Sequence, residues 1–321
     1  MAPTESSAEV RTSKYSWNGE QKQPHGQPVQ IVWRNVVFMS LLHLGAVYGL
    51  VLLPQAHIYT AVWAILLHYF SGVLGITAGA HRLWAHRTYK ARLPLRVVMA
   101  MANSVAFQNH IHEWSRDHRC HHKYSETNGD PHNASRGFFF SHCGWLLVRK
   151  HPDVIAKGKQ IDLSDLAADP VVRFQKRYYL PSVLLLCFTL PTVVPILAWR
   201  ESLTNAFCIA VLSRYVLTLN ATWLVNSAAH LWGTRPYDRS IRPAENRFVS
   251  SVAGGEGWHN YHHTFPFDYA TGELGWRLNM TTVFIDLMAW AGLAYDLRTA
   301  PPSVVRARAL RTGDGTWGEQ Y

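Results

Sequence analysis

Cysteine is scarce: the 321 residues contain four, Cys120, Cys143, Cys187 and Cys208. No two are spaced as C-x-x-C, and Cys187 and Cys208 lie inside long apolar runs, so no disulfide framework is expected. The chain has no Gly-rich dinucleotide fingerprint between a strand and a helix, so direct binding of NAD(P)H is not expected. It has no "HPGG"-type haem segment, which argues against a fused haem domain. The first thirty residues are polar and lack an apolar signal core, so no cleaved signal peptide is expected; they read as disordered, as does the tail from Ala300. No repeat of fixed period and no low-complexity tract is present. Acidic residues are also few: 21 Asp and Glu stand against 31 Lys and Arg, a formal net charge of +10. That balance suits a protein facing anionic lipid headgroups or an acidic ligand. Nucleic acid would explain the charge equally well, but not the long apolar runs, and no nucleic-acid partner is expected.

Hydrophobic residues make up 48% of the chain, and they are clustered. Val36–Leu53 and Ile58–Ala80 hold no Lys, Arg, Asp or Glu; Tyr179–Trp199 is a third such run, and Leu203–Ala229 is interrupted only by Arg214. A bilayer core of about 30 Å needs about 20 helical residues, so the four runs read as membrane spans at about 36–53, 58–80, 179–199 and 203–229. The alternative is a soluble protein with buried helices. Short links at Pro54–His57 and Arg200-Glu201 make two hairpins. The Pro54–His57 link has no Lys or Arg and the other has only Arg200, whereas His81–Tyr178 carries 16. The positive-inside tendency therefore puts both links outside, and both termini and the middle segment in the cytosol. The expected fold is an all-α integral membrane protein with a cytosolic helical cap: residues 1–30 a disordered cytosolic start, 31–299 one domain, 300–321 a cytosolic tail.

Histidine is where the chemistry concentrates. "HRCHHKYSE" (His118–Glu126) packs His118, His121 and His122 into five positions, which one helical face can present together. "HRLWAH" supplies His81 and His86, "NSAAH" supplies Asn226 and His230, and "HNYHH" supplies His259, His262 and His263. By the topology above, every cluster falls on the cytosolic side. Nine imidazoles exceed the three or four ligands of one zinc; two metals would take four or five each, leaving room for water or oxygen. Imidazole suits Fe, Zn and Cu alike, and Asn226 is better placed to hold a metal-bound water than to ligate. His81 and His86 stand about 140° apart on an ideal α-helix, so the helix must end or unwind between them, or they must serve different metals. The remaining nine, His25, His43, His57, His68, His110, His112, His132, His142 and His151, read as structural or solvated.

These motifs, in this order across four spans, resemble the membrane fatty acyl-CoA desaturases of animals, the stearoyl-CoA (delta-9) type among them. The likeness runs from about Trp33 to Asp296 and includes "GITAGAHRLWAHRTYKARLPLR", "RDHRCHHKYSET", "NSAAHLWGTRPYD" and "GEGWHNYHHTFPFDY". The resemblance implies two iron ions (Fe2+/Fe3+) held by His81, His86, His118, His121, His122, His230, His259, His262 and His263, with Asn226 acting through water. It implies insertion of a cis double bond, most often at delta-9, into a saturated acyl-CoA, with O2 as co-substrate and electrons from cytochrome b5 and its reductase. An endoplasmic reticulum location follows in the same way. It maps coenzyme A contacts to Asn35, Asn109, Arg116, Asp117, Arg149 and Lys150, and an acyl tunnel to Tyr69, Val73, Gln108, Thr222 and Trp223. Arg116, Arg149 and Lys150 suit phosphate, although positive-inside topology would also place cations there; Tyr69 and Trp223 could equally be packing aromatics. The rivals are a desaturase of another position such as delta-11, a membrane di-iron hydroxylase, or a non-catalytic zinc-binding scaffold or transporter. Against the last, the histidines lie outside the spans rather than along a path at bilayer depth.

Overall fold

The computed structural model describes residues 29–318. The disordered start expected for residues 1–30 falls almost entirely outside them. Four helices are long and apolar enough to cross a membrane: Trp33–Gln55, Ile58–Ala85, Tyr179–Trp199 and Leu203–Leu231. Each begins or ends within a few residues of its expected run, and two extend further at the histidine end. Leu41, Leu44, Leu66, Leu184 and Leu197 point outward from them and are exposed. In water such an apolar girdle would be a large liability, whereas acyl chains satisfy it. The chain is therefore a mostly helical, multi-pass membrane protein.

The two hairpin links come together. Glu201, buried in the second, accepts hydrogen bonds from the His57 backbone N–H at 2.9 Å and the Thr60 hydroxyl at 2.6 Å. The Trp199 indole donates to the same Thr60 oxygen at 2.8 Å. Arg214, the one charge inside the fourth span, is buried and donates to the carbonyls of Val105 at 2.9 Å and Cys187 at 3.1 Å. Facing inward onto backbone oxygens is how a bilayer-depth cation avoids an uncompensated desolvation cost.

Beyond the spans lie two shorter apolar helices, Leu93–Ala106 and Met280–Trp290. The first packs backbone to backbone on the second span at Gly75, where any β-carbon would stand 2.4 Å from the carbonyl carbon of Ala102. Only glycine permits that approach. A two-stranded antiparallel ribbon, Lys90–Ala91 with Ala294–Tyr295, joins the exit of the second span to the segment after Met280–Trp290. Leu83, Trp84, Tyr89, Leu95, Met99, Ile111 and Ile285 form the core beneath the ribbon.

The tail departs from expectation. Pro302–Thr312 is a helix, not a disordered segment. Its apolar residues Val305 and Ala309 are buried against Tyr237, Tyr261 and Phe265. The run "VVRARALRT" is short and rich in arginine, so its composition reads as polar. Its few apolar side chains gain a partner only once the HNYHH segment folds beside them.

Candidate metal centre

The second span is α-helical over Ile58–Tyr69 and π-helical over Phe70–Ala85. A π-helix closes its hydrogen bonds five residues apart, and the His86 N–H donates to the His81 carbonyl at 3.0 Å. Residues five apart thus sit one above the other, and the two imidazole centroids come within 4.9 Å. The 140° separation of an α-helix shrinks enough for both residues to serve one cluster. HRCHH lies on the helix Ile111–Tyr124, and HNYHH on the short helix His259–Thr264. His230 closes the last turn of the fourth span.

All nine histidines converge in two groups. His81, His86, His118, His122 and His262 form one; His121, His230, His259 and His263 form the other. Within each, one nitrogen per ring lies within 4.8 Å of all the others. In the first group His86 and His118 approach Nε2 to Nε2 at 2.8 Å, and His262 lies 3.0 Å from both His81 and His122. In the second, His259 lies 3.0 Å from His230 and 3.2 Å from His263.

Hydrogen bonds among the rings cannot satisfy this arrangement. A neutral imidazole has one donor and one acceptor nitrogen. His81 turns Nδ1 to Glu256 Oε2 at 2.9 Å, His121 to Asp130 Oδ1 at 2.9 Å, and His230 to Glu126 Oε1 at 2.8 Å. With the proton on Nδ1, each of those Nε2 atoms is a bare acceptor, and His121 Nε2 is buried without any partner. His262 Nε2 could give a proton to one of its two neighbours, not to both. A cation between the lone pairs resolves the conflict. Carboxylate-backed imidazole is the usual outer support of a metal ligand.

Burial, reinforced by the neighbouring imidazoles, holds His86, His118, His122, His259, His262 and His263 well below the ordinary histidine range. They are neutral at pH 7, the form that binds metal. His121 moves the other way: burial opposes the cation, but the charge and hydrogen bond of Asp130 outweigh it. Burial likewise pushes the Glu256 carboxyl up, yet Arg82 and His81 overcome it and hold it at about 2. Glu126, Asp130 and Glu256 were not singled out from the sequence; each lies close to a histidine motif, but only Asp130 supports a histidine near it in sequence, His121, whereas Glu126 and Glu256 reach His230 and His81 from distant segments.

A cavity runs from the second span to these rings. Tyr69, Gly72, Val73, Ile76 and Thr77 line one side, Thr218, Ala221, Thr222, Val225 and Asn226 another, and His81, Trp114, His118 and His259 its end. Tyr69, Val73 and Thr222, mapped to the acyl tunnel by resemblance, are among the residues that line this cavity. Gln108 sits behind, donating to the Thr222 hydroxyl at 3.0 Å. Trp223 does not: it is 3% exposed, stacks on His43, and packs with Leu42, Tyr215 and Leu219 rather than on the cavity. One residue further along the helix, the side chain has turned about 100° away from Thr222. Most of the wall was not anticipated, and two of the missed residues stand out. His68 lines the deep end and lies 3.0 Å from the Thr218 hydroxyl, and Trp114 stacks on His118 at 5.0 Å.

The residues mapped to coenzyme A are brought together only in part. Arg116 donates to Asp117 Oδ1 at 2.7 and 2.9 Å, and Lys150 to Asp117 Oδ2 at 2.6 Å, so two cations share one carboxylate. Arg149 is exposed and, with Arg136, Lys150 and His151, edges a second cavity. Asn35 is bonded elsewhere, to the Leu146 carbonyl at 2.8 Å, and Asn109 turns the chain with a φ of 72°.

Residues 59–277 match the family described as fatty acid desaturase. The chain is 64% identical to an acyl-CoA desaturase of Cyprinus carpio over 298 residues, covering 92% of this chain and 91% of the carp protein. It is 58% identical to stearoyl-CoA desaturase 5 of Homo sapiens over 315 residues, covering 98% and 95%, and 58% identical to a stearoyl-CoA desaturase of Bos taurus, covering 96% and 86%. With two histidine groups at the end of a membrane-embedded cavity, and with these relatives along nearly its whole length, this chain belongs to the fatty acid desaturase family.

Proposed function

We propose that the protein inserts a cis double bond between carbons nine and ten of a saturated fatty acyl-CoA, reducing O2 to water with electrons from cytochrome b5. The observation that carries this reading is the cavity that starts among apolar side chains of the second and fourth spans and ends at His81, His118 and His259. A bundle of histidines in open solvent would suit many roles, whereas one facing a mostly apolar cavity between the spans suits an alkyl substrate.

Two iron ions would occupy the two histidine groups, five ligands and four, with Asn226 at the cavity wall holding a water. When bound, they supply the oxidising power to break two unactivated C–H bonds, which no protein acid or base can reach. The chain's own contribution is position. Val73, Ile76 and Thr222 hold the alkyl chain, and the half-buried Trp114–His118 stack covers part of one wall. Glu256, Asp130 and Glu126 keep the supporting imidazoles in the tautomer that offers Nε2. Arg149 and Lys150 would hold coenzyme A phosphates at the cytosolic face, so that the distance from anchor to histidines sets the carbon that reacts. The meeting of both hairpin links through Glu201, opposite the basic middle segment, supports cytosolic termini in a membrane such as the endoplasmic reticulum.

Expression in a desaturase-deficient yeast, with the double bond located in the recovered lipids, tests the reading. A delta-9 unsaturated product is expected. A hydroxylated product, or a bond at another carbon such as delta-11, would replace it with one of the rival reactions.

A further inference from the structure

Every short Nε2-to-Nε2 approach among the nine histidines lies within a group: His86–His118, His81–His262 and His122–His262 in one, His230–His259 and His259–His263 in the other. The outer carboxylates divide in the same way. Among the histidines the Glu256 carboxylate takes His81, on the five-histidine side, and its other oxygen takes the buried Arg82 guanidinium at 2.9 and 3.1 Å. Asp130 and Glu126 serve His121 and His230, both on the four-histidine side.

Asp130 and Glu126 belong to one loop, and the loop is built around the first. The helix carrying HRCHH stops at Tyr124, and Glu126 takes a φ of 63°. Asp130 Oδ2 then accepts the Glu126 N–H at 3.0 Å, while Oδ1 accepts the His132 N–H and the His121 Nδ1–H, both at 2.9 Å. Its side chain is fully buried. The Glu126 carboxylate, aimed by this turn, reaches His230 from 104 residues away at 2.8 Å. A loop of seven residues therefore fixes two of the four rings in one group and touches none in the other.

We infer that the two metal positions are supported independently: the loop Ser125–Pro131, through Asp130 and Glu126, holds the four-histidine position, and the Arg82–Glu256 pair holds the five-histidine position. Asp130, Glu126 and Glu256 are positioning residues, separated from any ion by the imidazole ring whose Nδ1 they hold. The inference rests on the proposal that both groups hold metal. Loss of the carboxylate frees the ring to rotate and removes the fixed tautomer, a change that typically weakens metal affinity by 10- to 100-fold. Because each carboxylate serves one group, that weakening falls on one ion of the pair.

The test is metal release, not turnover. The full-length protein, purified in lipid nanodiscs and loaded with Co2+ as a spectroscopic probe, is challenged with graded chelator while bound metal is counted. Electron paramagnetic resonance reports whether the remaining ions are coupled or isolated. Wild-type protein is expected to hold two ions with a coupled spectrum. Asp130→Asn and Glu126→Gln should each lose one ion at 10- to 100-fold lower chelator activity, leaving an isolated ion that resists release as in wild type. Glu256→Gln should lose the other ion and leave an isolated signal of different coordination. Asp130→Glu, which keeps the charge, should recover part of the affinity. Fewer than two ions in wild type would overturn the two-metal reading itself. Two ions in wild type but parallel loss of both from the variants, at unchanged melting temperature, would overturn independent support. Unchanged release from all three variants would overturn it as well.

Discussion

Substitution at Val73 should change which chain length fits while leaving the reacting carbon alone. Val73 is buried on the second span, faces the cavity two turns from His81, and stands one turn from Tyr69 on the same wall. Its Cγ2 comes within 3.1 Å of where a β-carbon would stand at Gly254, so it fills the width of the slot there. Val73→Ala removes two methyl groups from the wall. If two further methylenes of a longer chain enter that space, each gains about 0.8 kcal/mol, or ~1.6 kcal/mol together, roughly 15-fold in relative kcat/KM. That value is an upper bound, since the new space will not match the chain perfectly. Val73→Phe has no room toward Gly254, so the ring must lie across the slot and shift preference to shorter chains. Competition among saturated acyl-CoAs of fourteen to twenty carbons, read by mass spectrometry, measures both effects. A length profile indifferent to both variants would refute the reasoning. So would a double bond that moved along the chain, because the anchor and the histidines are untouched.

Alanine at His118, His121, His122, His259, His262 or His263 should abolish desaturation with membrane insertion intact, whereas His57→Ala should be near neutral; wild-type turnover by His121→Ala would remove it from the ligands. Arg149→Ala should weaken acyl-CoA binding by about 1 kcal/mol, roughly fivefold, more at low salt than at high; unchanged affinity at low salt would return Arg149 to a topological role. Val305→Asp places a carboxylate against Tyr261 and Phe265 and should cost about 3 kcal/mol, exposing the HNYHH helix to protease; a protease pattern like wild type would show that the tail helix is not needed to brace it. For pH, the six buried histidines bind protons in the unfolded chain at their ordinary value of 6.5 but not in the folded one. The unfolded state therefore takes up more protons, and stability of the metal-free protein should fall as pH drops below 6.5. His121, shifted upward, does not offset this fall: its contribution is already complete below 6.5 and is lost only as pH rises through its folded-state value. A melting temperature flat between pH 7 and pH 5 would contradict their burial as neutral rings.

Much of this was legible in the sequence because the governing signals are local. Apolar runs announce bilayer helices whatever their neighbours do, and the i, i+3, i+4 spacing of His118, His121 and His122 gathers three rings by helical geometry alone, although it did not show that His121 joins the other group. What stayed hidden depends on partners far along the chain. The pairing of His81 with His86 needed the π-helical register, which the packing of Gly75 against Ala102 accompanies and no spacing rule for α-helices anticipates. The Pro302–Thr312 helix finds distant apolar partners in Tyr237, Tyr261 and Phe265. The resemblance mapped Trp223 to the tunnel together with Thr222, yet a single helical step turned it to His43. Glu126, Asp130 and Glu256 carry an ordinary acidic side chain in the sequence; only the folded loop and turn aim them at imidazoles.

The most direct test of the central claim is the mass and double-bond position of the product made by purified, iron-loaded protein. The reaction would contain stearoyl-CoA, O2, cytochrome b5 and its reductase in a lipid bilayer. The account predicts an acyl chain lighter by two hydrogens, with a cis bond between carbons nine and ten, dependent on iron and on the electron donor. A chain that gained an oxygen, or no conversion by protein shown to hold two irons and reduced donor, would contradict it.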